Sequence, residues 1–536
     1  MRHLWMVALM ACQEPTPAVA PPEPGFDLVV LGKVDGQDKA VLVDDGRIVD
    51  IAEPSDPRVA QASARLDGEL ITAGFVDAHA HPMSLGNTLA SLDLTGIGTY
   101  RGTLDRIGSW KGEGFVTGRG WDQNDWPDNP LGGWPLAADL EAVLPGRSVA
   151  LARVDGHAMW VSEAVLETAQ ISAETPDPAG GRIERDATGA PTGVLVDTAM
   201  DLVQLPERSA ASAERQLREA LDLIAASGLT GVHAMGVSDD VLALYESLDR
   251  SGELKVRIWA YLNPESEAAQ RLLRDGPWRG NRLVVLGIKA YADGALGSRG
   301  AWLSEPYADE PEHAGLPILK GEELRTLATR CLSANAQLAV HAIGDRAVTE
   351  VLDAFEVARA AHPDSTALLR VEHAQIVRPE DRGRFKALRA VASMQPTHAT
   401  SDMPWAQQRL GEERVGWAYT WRSLGDAGAL LAFGSDFPVE GVSPALGLWA
   451  ATTRTDARGL PKGGWTASER LSIDEAVSAF TDGAARAVGE ETLGRLAPGM
   501  NADITVWRPD RIEPRRWMPV ATVVDGEQVW VAARGL

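Results

Sequence analysis

Eight short apolar runs, separated by amphipathic stretches, occupy the middle of this 536-residue chain and constrain its fold more than any other feature. Helical periodicity lies between several of the runs, for example at 212–227, 321–334 and 346–361. Alternating strands and helices predict a parallel sheet, and eight such units predict an α/β fold of the (β/α)8, or TIM-barrel, type. The predicted barrel strands span residues 71–78, 229–234, 255–262, 283–292, 337–341, 369–373, 390–395 and 430–434.

Both ends of the chain have a different pattern, which is typical of antiparallel strands. Residues 26–34 and 39–51 alternate in polarity near the N-terminus, and 502–507 and 519–531 do so near the C-terminus. Asp-Gly pairs at 45–46 and 525–526 are typical of tight hairpin turns. We therefore predict one small β-sandwich built from both termini, 27–69 plus 497–536, with the barrel (70–92 plus 209–496) between its two parts.

The first two predicted barrel strands are too far apart for an ordinary loop. Residues 93–208 must therefore form an insertion, with its own strands expected at 115–119 and 149–154. Because the insertion leaves the C-terminal end of the first strand, we expect it to overhang the mouth of the barrel.

The charge and cysteine content exclude several classes of protein. The net charge of −24 argues against a nucleic-acid partner. The two cysteines, Cys12 and Cys331, cannot form a disulfide framework or a cysteine-based zinc cluster. Cys331 falls within a predicted helix, where we expect a small buried apolar residue.

The N-terminus resembles a bacterial lipoprotein signal. One arginine precedes a short apolar run that ends at Cys12, and residues 13–25 are rich in Pro, Ala and Glu, as in an extended tether. The sequence thus predicts an exported protein attached to the membrane of a bacterial envelope, in the periplasm or outer membrane, through a lipidated Cys12. The alternative is a cytoplasmic protein with a misassigned start.

Side chains with metal-binding chemistry follow the predicted barrel strands. His79 and His81 end the first apolar run, and alternate residues of a strand share a face, so both imidazoles can converge on one ion. The C-terminal strand ends surround the active site in barrels of this type. Reading those ends in chain order predicts a metal centre with the ligands His79, His81, Lys289, His341, His373 and Asp436.

Each ligand also has a structural interpretation. Lys289 could be a lysine of the barrel rim, His341 and His373 could be hydrogen-bonded core histidines, and Asp436 could cap a helix. We favour the metal site because all of these segments end strands of one predicted barrel.

The ligand set indicates the chemistry of such a centre. Four neutral imidazoles and an aspartate can hold one or two divalent ions, and the amine of Lys289 could bridge two ions after reacting with CO2 to give N6-carboxylysine. A centre of this kind activates water at neutral pH. Asp436 would be the catalytic residue, a proton shuttle between the attacking water and the leaving nitrogen of a carbonyl compound.

The chain resembles the amidohydrolase superfamily, specifically its N-substituted formamide deformylase-like, or YtcJ-type, branch. The resemblance covers nearly all of residues 27–536 and implies a barrel with a terminal β-sandwich, a divalent metal centre that is usually zinc, and hydrolysis of a C–N bond in an amide or related group. The segments that carry it are 74–82, 118–127, 155–160, 289–299, 341–345, 372–375 and 434–438.

Two further histidines are candidates for substrate binding. His157 lies in the insertion beside Asp155, where it could bind substrate or stabilise an oxyanion, or could simply be packed in a loop. His233 is at the end of the second predicted strand, at the barrel mouth, so a role facing the substrate is an option.

The remaining candidates are aromatic or charged. Trp121, Trp126 and Trp302 could form an apolar wall of the pocket, although core packing explains at least one of them. Asp293 and Arg299 flank a Gly-rich loop after Lys289. Arg299 could bind a carboxylate in a bidentate manner, or tie the loop down.

Taken together, the sequence predicts a metal-dependent hydrolase that cleaves the C–N bond of a small-molecule amide of the N-acyl or N-formyl type. Ester or lactone hydrolysis, an isomerase or lyase reaction at the same site, and a non-catalytic ligand-binding lipoprotein are the alternatives. The oligomeric state is left open, with a homo-oligomer as one option.

Overall fold

The computed structural model of the chain describes residues 25–111, 114–129, 133–205, 210–510 and 512–533. Its largest sheet contains eight parallel strands in chain order, and a short strand, Trp278–Arg279, pairs antiparallel with the fourth of them. The eight parallel strands are Phe75–Ala80, Leu229–Val237, Arg257–Leu262, Leu283–Tyr291, Gln337–Ala342, Leu369–His373, Ala390–Met394 and Leu430–Phe433.

Hydrogen bonds join the first strand to the segment that follows the eighth. The amide of Asp436 donates to the carbonyl of His79 over 2.8 Å, and the amide of His81 donates to the carbonyl of Phe437 over 3.0 Å. The hydroxyl of Ser435 also donates to the Asp77 carboxylate over 2.6 Å. These contacts close the C-terminal rim, so the predicted barrel is confirmed.

Helices surround the sheet and connect its strands. The predicted helices at 212–227, 321–334 and 346–361 correspond to Ala210–Ala226, Gly321–Ser333 and Asp345–Ala361. The other helices outside the insertion are Pro82–Leu89, Asp239–Ser251, Glu267–Asp275, Arg382–Leu388, Pro396–Asp402, Ala406–Arg414, Trp421–Asp426, Pro444–Thr453, Ile473–Phe480 and Asp482–Ala487.

The first barrel strand begins later than the predicted 71–78. Ala64–Ala73 is a strand of the terminal sheet, paired with Ile504–Arg508, and the barrel strand starts only at Phe75. Between them, a Cβ on Gly74 would lie 2.3 Å from the hydroxyl oxygen of Thr230, so the two strands meet where a side chain has no room. The apolar run is continuous because both halves are buried, and hydropathy alone does not show a change of sheet.

The two termini build one seven-stranded sheet, as the predicted terminal β-structure requires. Apolar side chains from both parts of the chain, among them Val41 and Val523, share one core. Arg257 links this sheet to the barrel by donating to Asp503 over 2.8 Å. The strands, in spatial order, are Glu527–Val531, Met518–Val524, Ile504–Arg508, Ala64–Ala73, Leu28–Val34, Gln37–Asp44 and Arg47–Ala52.

The insertion forms a six-stranded sheet of its own. Its strands are Leu92–Asp93, Val116–Trp121, Val149–Arg153, Ala158–Val161, Gly181–Arg185 and Pro191–Asp197, and its helices are Tyr100–Gly108, Ala137–Val143 and Glu163–Thr168. Trp121, Trp126 and Trp160 pack together in its core.

Two predictions about the rest of the chain have different outcomes. Cys331 is fully buried in the helix Gly321–Ser333, as expected, and burial raises the pKa of its thiol to about 12. The predicted signal segment and tether, with Cys12, lie outside the described residues. Within the described residues, no helix combines the length and apolar character needed to cross a membrane.

Candidate metal centre

His79 and His81 lie at the end of the first barrel strand and face the same point. The Nε2 atom of His81 lies 3.1 Å from Oδ1 of Asp436, and Nε2 of His79 lies 3.6 Å from the same oxygen. One ligand atom from each of the three residues falls within 4.8 Å of the other two. This spacing suits three donors around one divalent cation.

A second group of three donors shares Asp436. His373 and His398 each offer a ring nitrogen that lies within 4.8 Å of the other and of the Asp436 carboxylate. His398 was not among the predicted ligands, although it follows the seventh strand, Ala390–Met394, in the helix Pro396–Asp402. The signal that led to the other ligands, a metal-binding side chain just after a barrel strand, also applies to this position.

Hydrogen bonds at the second ring nitrogen orient three of these imidazoles. His79 Nδ1 lies 2.6 Å from Oε2 of Glu372, and His373 Nδ1 lies 2.8 Å from Oε1 of Gln395. His81 Nδ1 lies 3.1 Å from the carbonyl oxygen of Met235. An oxygen at Nδ1 fixes the tautomer in which Nε2 carries the free lone pair, as metal-bound histidines require. The residues present therefore fit a divalent metal.

Glu372 belongs to a buried charge network inside the barrel. Arg370 donates to Glu372 over 2.7 Å and to the carbonyl of Ala78 over 2.7 Å. Burial opposes ionisation of Glu372, but Arg370 and His79 outweigh it and hold the pKa of this carboxyl below its usual range. Burial and the charge of Lys289 lower the pKa of His79 to about 4, so its ring is neutral, as a metal ligand must be.

Lys289 and His341 join the same cluster from the fourth and fifth strands. Nζ of Lys289 lies 3.2 Å from Nε2 of His79, and burial lowers the pKa of this amine to about 8. The His341 ring lies 4.5 Å from that of His373, centroid to centroid, while its Nε2 is 3.3 Å from the carbonyl oxygen of Gly294. Burial also lowers the pKa values of His341 and His373.

A cavity of about 500 Å³ opens onto these residues, a volume that suits a small molecule. All six predicted ligands line it: His79, His81, Lys289, His341, His373 and Asp436. A second lobe of about 390 Å³ reaches His373 and Asp436 from the other side. Its wall carries the acidic side chains of Asp125, Asp402 and Glu440, together with His398.

Of the candidate substrate residues, His157 lies at the cavity. It lines both lobes, and its Nδ1 lies 2.6 Å from Oδ1 of Asp197. Burial disfavours the charged ring, but Asp197 and Asp155 outweigh burial and raise the pKa of His157. Asp197 and Asp155 therefore favour the protonated form of this ring at the wall that the insertion supplies.

His233 and Trp121 lie away from the cavity wall. His233 is fully buried inside the barrel, where Arg370 donates to its Nδ1 over 2.8 Å. The second strand continues to Val237, so that Met235 and Gly236 reach the cavity in its place. Trp121 is buried in the insertion core and donates to the carbonyl of Leu151 over 2.7 Å.

Asp293 and Arg299 hold loops together. Asp293 is fully buried and accepts hydrogen bonds from the backbone amides of Ile343, Gly344 and Trp302 over 2.7 to 3.0 Å. Arg299 forms ion pairs with Asp309 at 3.0 Å and Glu310 at 3.3 Å. Trp302 is half-buried, and the cationic groups of Lys320 and Arg346 lie 5.8 and 5.5 Å from the centroid of its ring. The sequence pattern could not separate such tethers from substrate contacts, because both occur in loops at the strand ends.

The sequence model of the amidohydrolase family matches residues 66–530 of this chain. The chain belongs to the amidohydrolase family. Among the relatives of this amidohydrolase, a Bacillus subtilis protein named as an amidohydrolase, YtcJ, is 34% identical over 485 residues, which cover 87% of this chain and 90% of that protein. The N-substituted formamide deformylase of Arthrobacter pascens is 26% identical over 529 residues, which cover 91% and 94% of the two chains.

A solved structure extends the similarity to three dimensions. This amidohydrolase superimposes on a metal-dependent hydrolase of Pyrococcus horikoshii with a TM-score of 0.72 and 27% identity, covering 92% of this chain and 98% of that one. The family, the barrel fold and the general activity predicted from the sequence, a metal-dependent hydrolase, are confirmed.

Proposed function

We propose that this amidohydrolase cleaves the C–N bond of small amides of the N-acyl or N-formyl type. The observation that carries the proposal is the convergence of His79, His81 and Asp436, whose ligand atoms lie within 4.8 Å of one another at the wall of a cavity of about 500 Å³. The similarity to an N-substituted formamide deformylase supports the same class of bond.

The donors fit zinc, since imidazole and carboxylate are ligands that zinc prefers. His79, His81 and Asp436 would hold one ion, and His373 with His398 or His341 would hold a second. Carboxylation of Lys289, whose amine is buried beside His79, would supply an anionic bridge. A bound ion of this kind polarises the substrate carbonyl and lowers the pKa of water.

Asp436 would move the proton. Its backbone has a φ of +62° and is held by the hydrogen bond to the carbonyl of His79, so its carboxylate is fixed towards both groups of histidines. The carboxylate would accept the proton of the attacking water as the new C–O bond forms. It would then deliver that proton to the nitrogen as the C–N bond breaks.

The test combines metal analysis with a substrate panel. Purified protein should contain one or two zinc-like ions per chain and should hydrolyse N-formyl and N-acyl amines faster than matched esters and lactones. Asp436→Asn should lower turnover by about 10²- to 10⁴-fold with metal retained. Asp201→Asn, which alters an exposed carboxylate of the cavity rim, is the control and should retain turnover.

Other results would support the alternatives. Full activity of metal-free protein would contradict the metal mechanism, and a preference for esters or lactones would contradict C–N cleavage. Tight binding without turnover across the panel would favour a ligand-binding lipoprotein. Export and lipidation of Cys12 stay predictions, which mass spectrometry of the membrane fraction would test.

A further inference from the structure

Arg119 is a cation at the cavity without an acidic partner. It belongs to the insertion strand Val116–Trp121 and lines the cavity of about 500 Å³ beside His79 and His81. Its Nη2 donates to the carbonyl of Val154 over 2.7 Å, and its Nε is buried with no hydrogen-bond partner. Among the described residues, no carboxylate lies within ion-pair distance of this guanidinium.

Arg153, on the neighbouring strand Val149–Arg153, shows what a satisfied arginine looks like in this insertion. It forms ion pairs with Asp122 and Asp155, and it donates from Nε to Gln123 over 2.8 Å. The insertion can therefore supply acidic partners to a buried guanidinium, but none of its described residues forms an ion pair with Arg119.

Three of the carboxylates that line the cavity with Arg119 already have partners: Asp436, Asp155 and Asp197. Asp436 lies 3.1 Å from Nε2 of His81. Asp155 accepts hydrogen bonds from Arg153 and from the backbone amide of His157, the latter over 3.0 Å. Asp197 accepts from the His157 ring over 2.6 Å. A guanidinium that is removed from water and has unfilled donors destabilises the folded protein. Binding of an anion or a carbonyl oxygen offsets this cost.

His157 adds a second donor at the same wall. Its Nδ1 is used by Asp197, and its side chain keeps 17% of its surface accessible, in the lobe that Arg119 also lines. The second lobe carries Asp125, Asp402 and Glu440, which would repel an anion. Its two arginines, Arg153 and Arg458, are already paired with aspartates. An anionic group of a substrate thus has one favourable place, on the Arg119 side of the metal centre.

We propose that Arg119, with His157, binds a carboxylate of the substrate, so that the preferred substrates are N-acyl or N-formyl amino acids and not neutral amides. This inference rests on the proposed amide hydrolysis. A carboxylate fits the planar fork of a guanidinium in a bidentate manner. A dianion is disfavoured, because Asp155, Asp197 and Asp201 line the same lobe.

The test uses the metal-loaded full-length chain and two substrates that differ by one group. N-formylphenylalanine carries the carboxylate, and N-formylphenethylamine lacks it. Arg119→Met should lower kcat/KM for the first substrate by about 10- to 100-fold, mainly through KM, which is the usual range for a lost charged hydrogen bond. Hydrolysis of the neutral substrate should change less than about threefold.

Two further variants control for charge and folding. Arg106→Met removes an exposed cation from the helix Tyr100–Gly108 of the same insertion and should leave both substrates unaffected. Arg119→Lys keeps the positive charge without the planar fork, so kcat/KM for N-formylphenylalanine should fall less than in Arg119→Met. Equal losses on both substrates, or no loss on either, would overturn the inference.

A binding measurement separates this inference from the proposed reaction. Calorimetry should show that 3-phenylpropanoate, which has no amide to cleave, binds wild-type protein at least about tenfold more tightly than Arg119→Met protein of equal metal content. If binding depends on Arg119 but no amide is cleaved, the proposed function fails and the carboxylate site stands. If amides are cleaved and Arg119→Met changes neither binding nor KM, the carboxylate site fails alone.

Discussion

Two histidines at the same cavity, one from the barrel and one from the insertion, are each hydrogen-bonded to a carboxylate. The distance from the ring nitrogen to the oxygen is the same in both pairs. His79 and Glu372 of the barrel lie 2.6 Å apart, as do His157 and Asp197 of the insertion. The pKa shifts of the two histidines have opposite signs. The pKa of His79 is lowered to about 4 by burial and by Lys289, whereas the pKa of His157 is raised by Asp197 and Asp155 against the effect of burial.

The neighbours of each carboxylate explain the difference. Arg370 donates to both oxygens of Glu372, over 2.7 and 3.2 Å, so much of that negative charge is already balanced. Oδ2 of Asp197 is buried with no hydrogen-bond partner, so its charge acts on His157. The charge balance around a pair, and not the contact itself, therefore decides whether the pKa of a histidine is lowered or raised.

The largest effect should come from the barrel pair. Glu372→Gln removes the acceptor that orients His79 and leaves Arg370 buried without its counter-ion. We expect zinc affinity to fall by about 10- to 100-fold and the free energy of unfolding to fall by about 3–5 kcal/mol. Metal titration and urea unfolding measure the two changes.

The matched change in the insertion is Asp197→Asn. It should leave the metal content unaltered, because His157 belongs to neither group of converging metal donors. If Asp197→Asn lost as much metal as Glu372→Gln, both pairs would support metal binding, and the contrast between them would be wrong.

Asp197→Asn should instead change a pH profile. A histidine with a raised pKa keeps its proton at low pH and loses it as pH rises through that pKa, so binding of an anionic substrate weakens at high pH. Without the Asp197 charge, His157 deprotonates at lower pH, so the rise of KM for N-formylphenylalanine should begin at lower pH than in the wild-type protein. Steady-state kinetics from pH 5 to 9 checks this, and an unshifted profile would contradict a cationic His157.

A smaller effect tests how rigidly the barrel side is built. A Cβ on Gly434 would lie 2.4 Å from the Asp77 carboxylate and 2.6 Å from the amide of His79. Gly434→Ala should therefore destabilise the protein by about 1–3 kcal/mol and displace His79, lowering activity as well. Gly383→Ala is the control, because its new methyl group would meet no atom within 4 Å. Since Gly383 lies in a helix, this change should raise the free energy of unfolding by about 0.5 kcal/mol. Thermal melts and activity assays compare them.

Much of the barrel and its ligands could be predicted because the signal is local. A metal-binding side chain such as Lys289 or His341 stands at the end of a short apolar run, and strand ends of a parallel barrel meet at one rim. His398 was missed although the same signal applies, since it lies four residues beyond its strand, inside a helix.

The substrate side could not be predicted in the same way. Trp121 and Arg119 are two residues apart on one insertion strand, yet Trp121 is buried in the core and Arg119 lines the cavity. The strand register shifts between them, where Gly120 has a φ of +107°, so the two side chains do not share a face as they would in a regular strand. His233 does not reach the cavity wall as expected, because its strand continues three residues beyond the predicted end at 234.

The sequence by itself determined the fold, the family and the kind of chemistry, because hydrophobic periodicity and ligand types are properties of neighbouring residues. The tertiary structure decided the charge of each group in the site. Glu372 is balanced by Arg370 and Asp197 pairs with His157, whereas no carboxylate of the described residues lies within ion-pair distance of Arg119. Those states depend on which side chains from distant segments share a buried volume, where the effective dielectric is low and a single missing partner changes a pKa or creates a binding site.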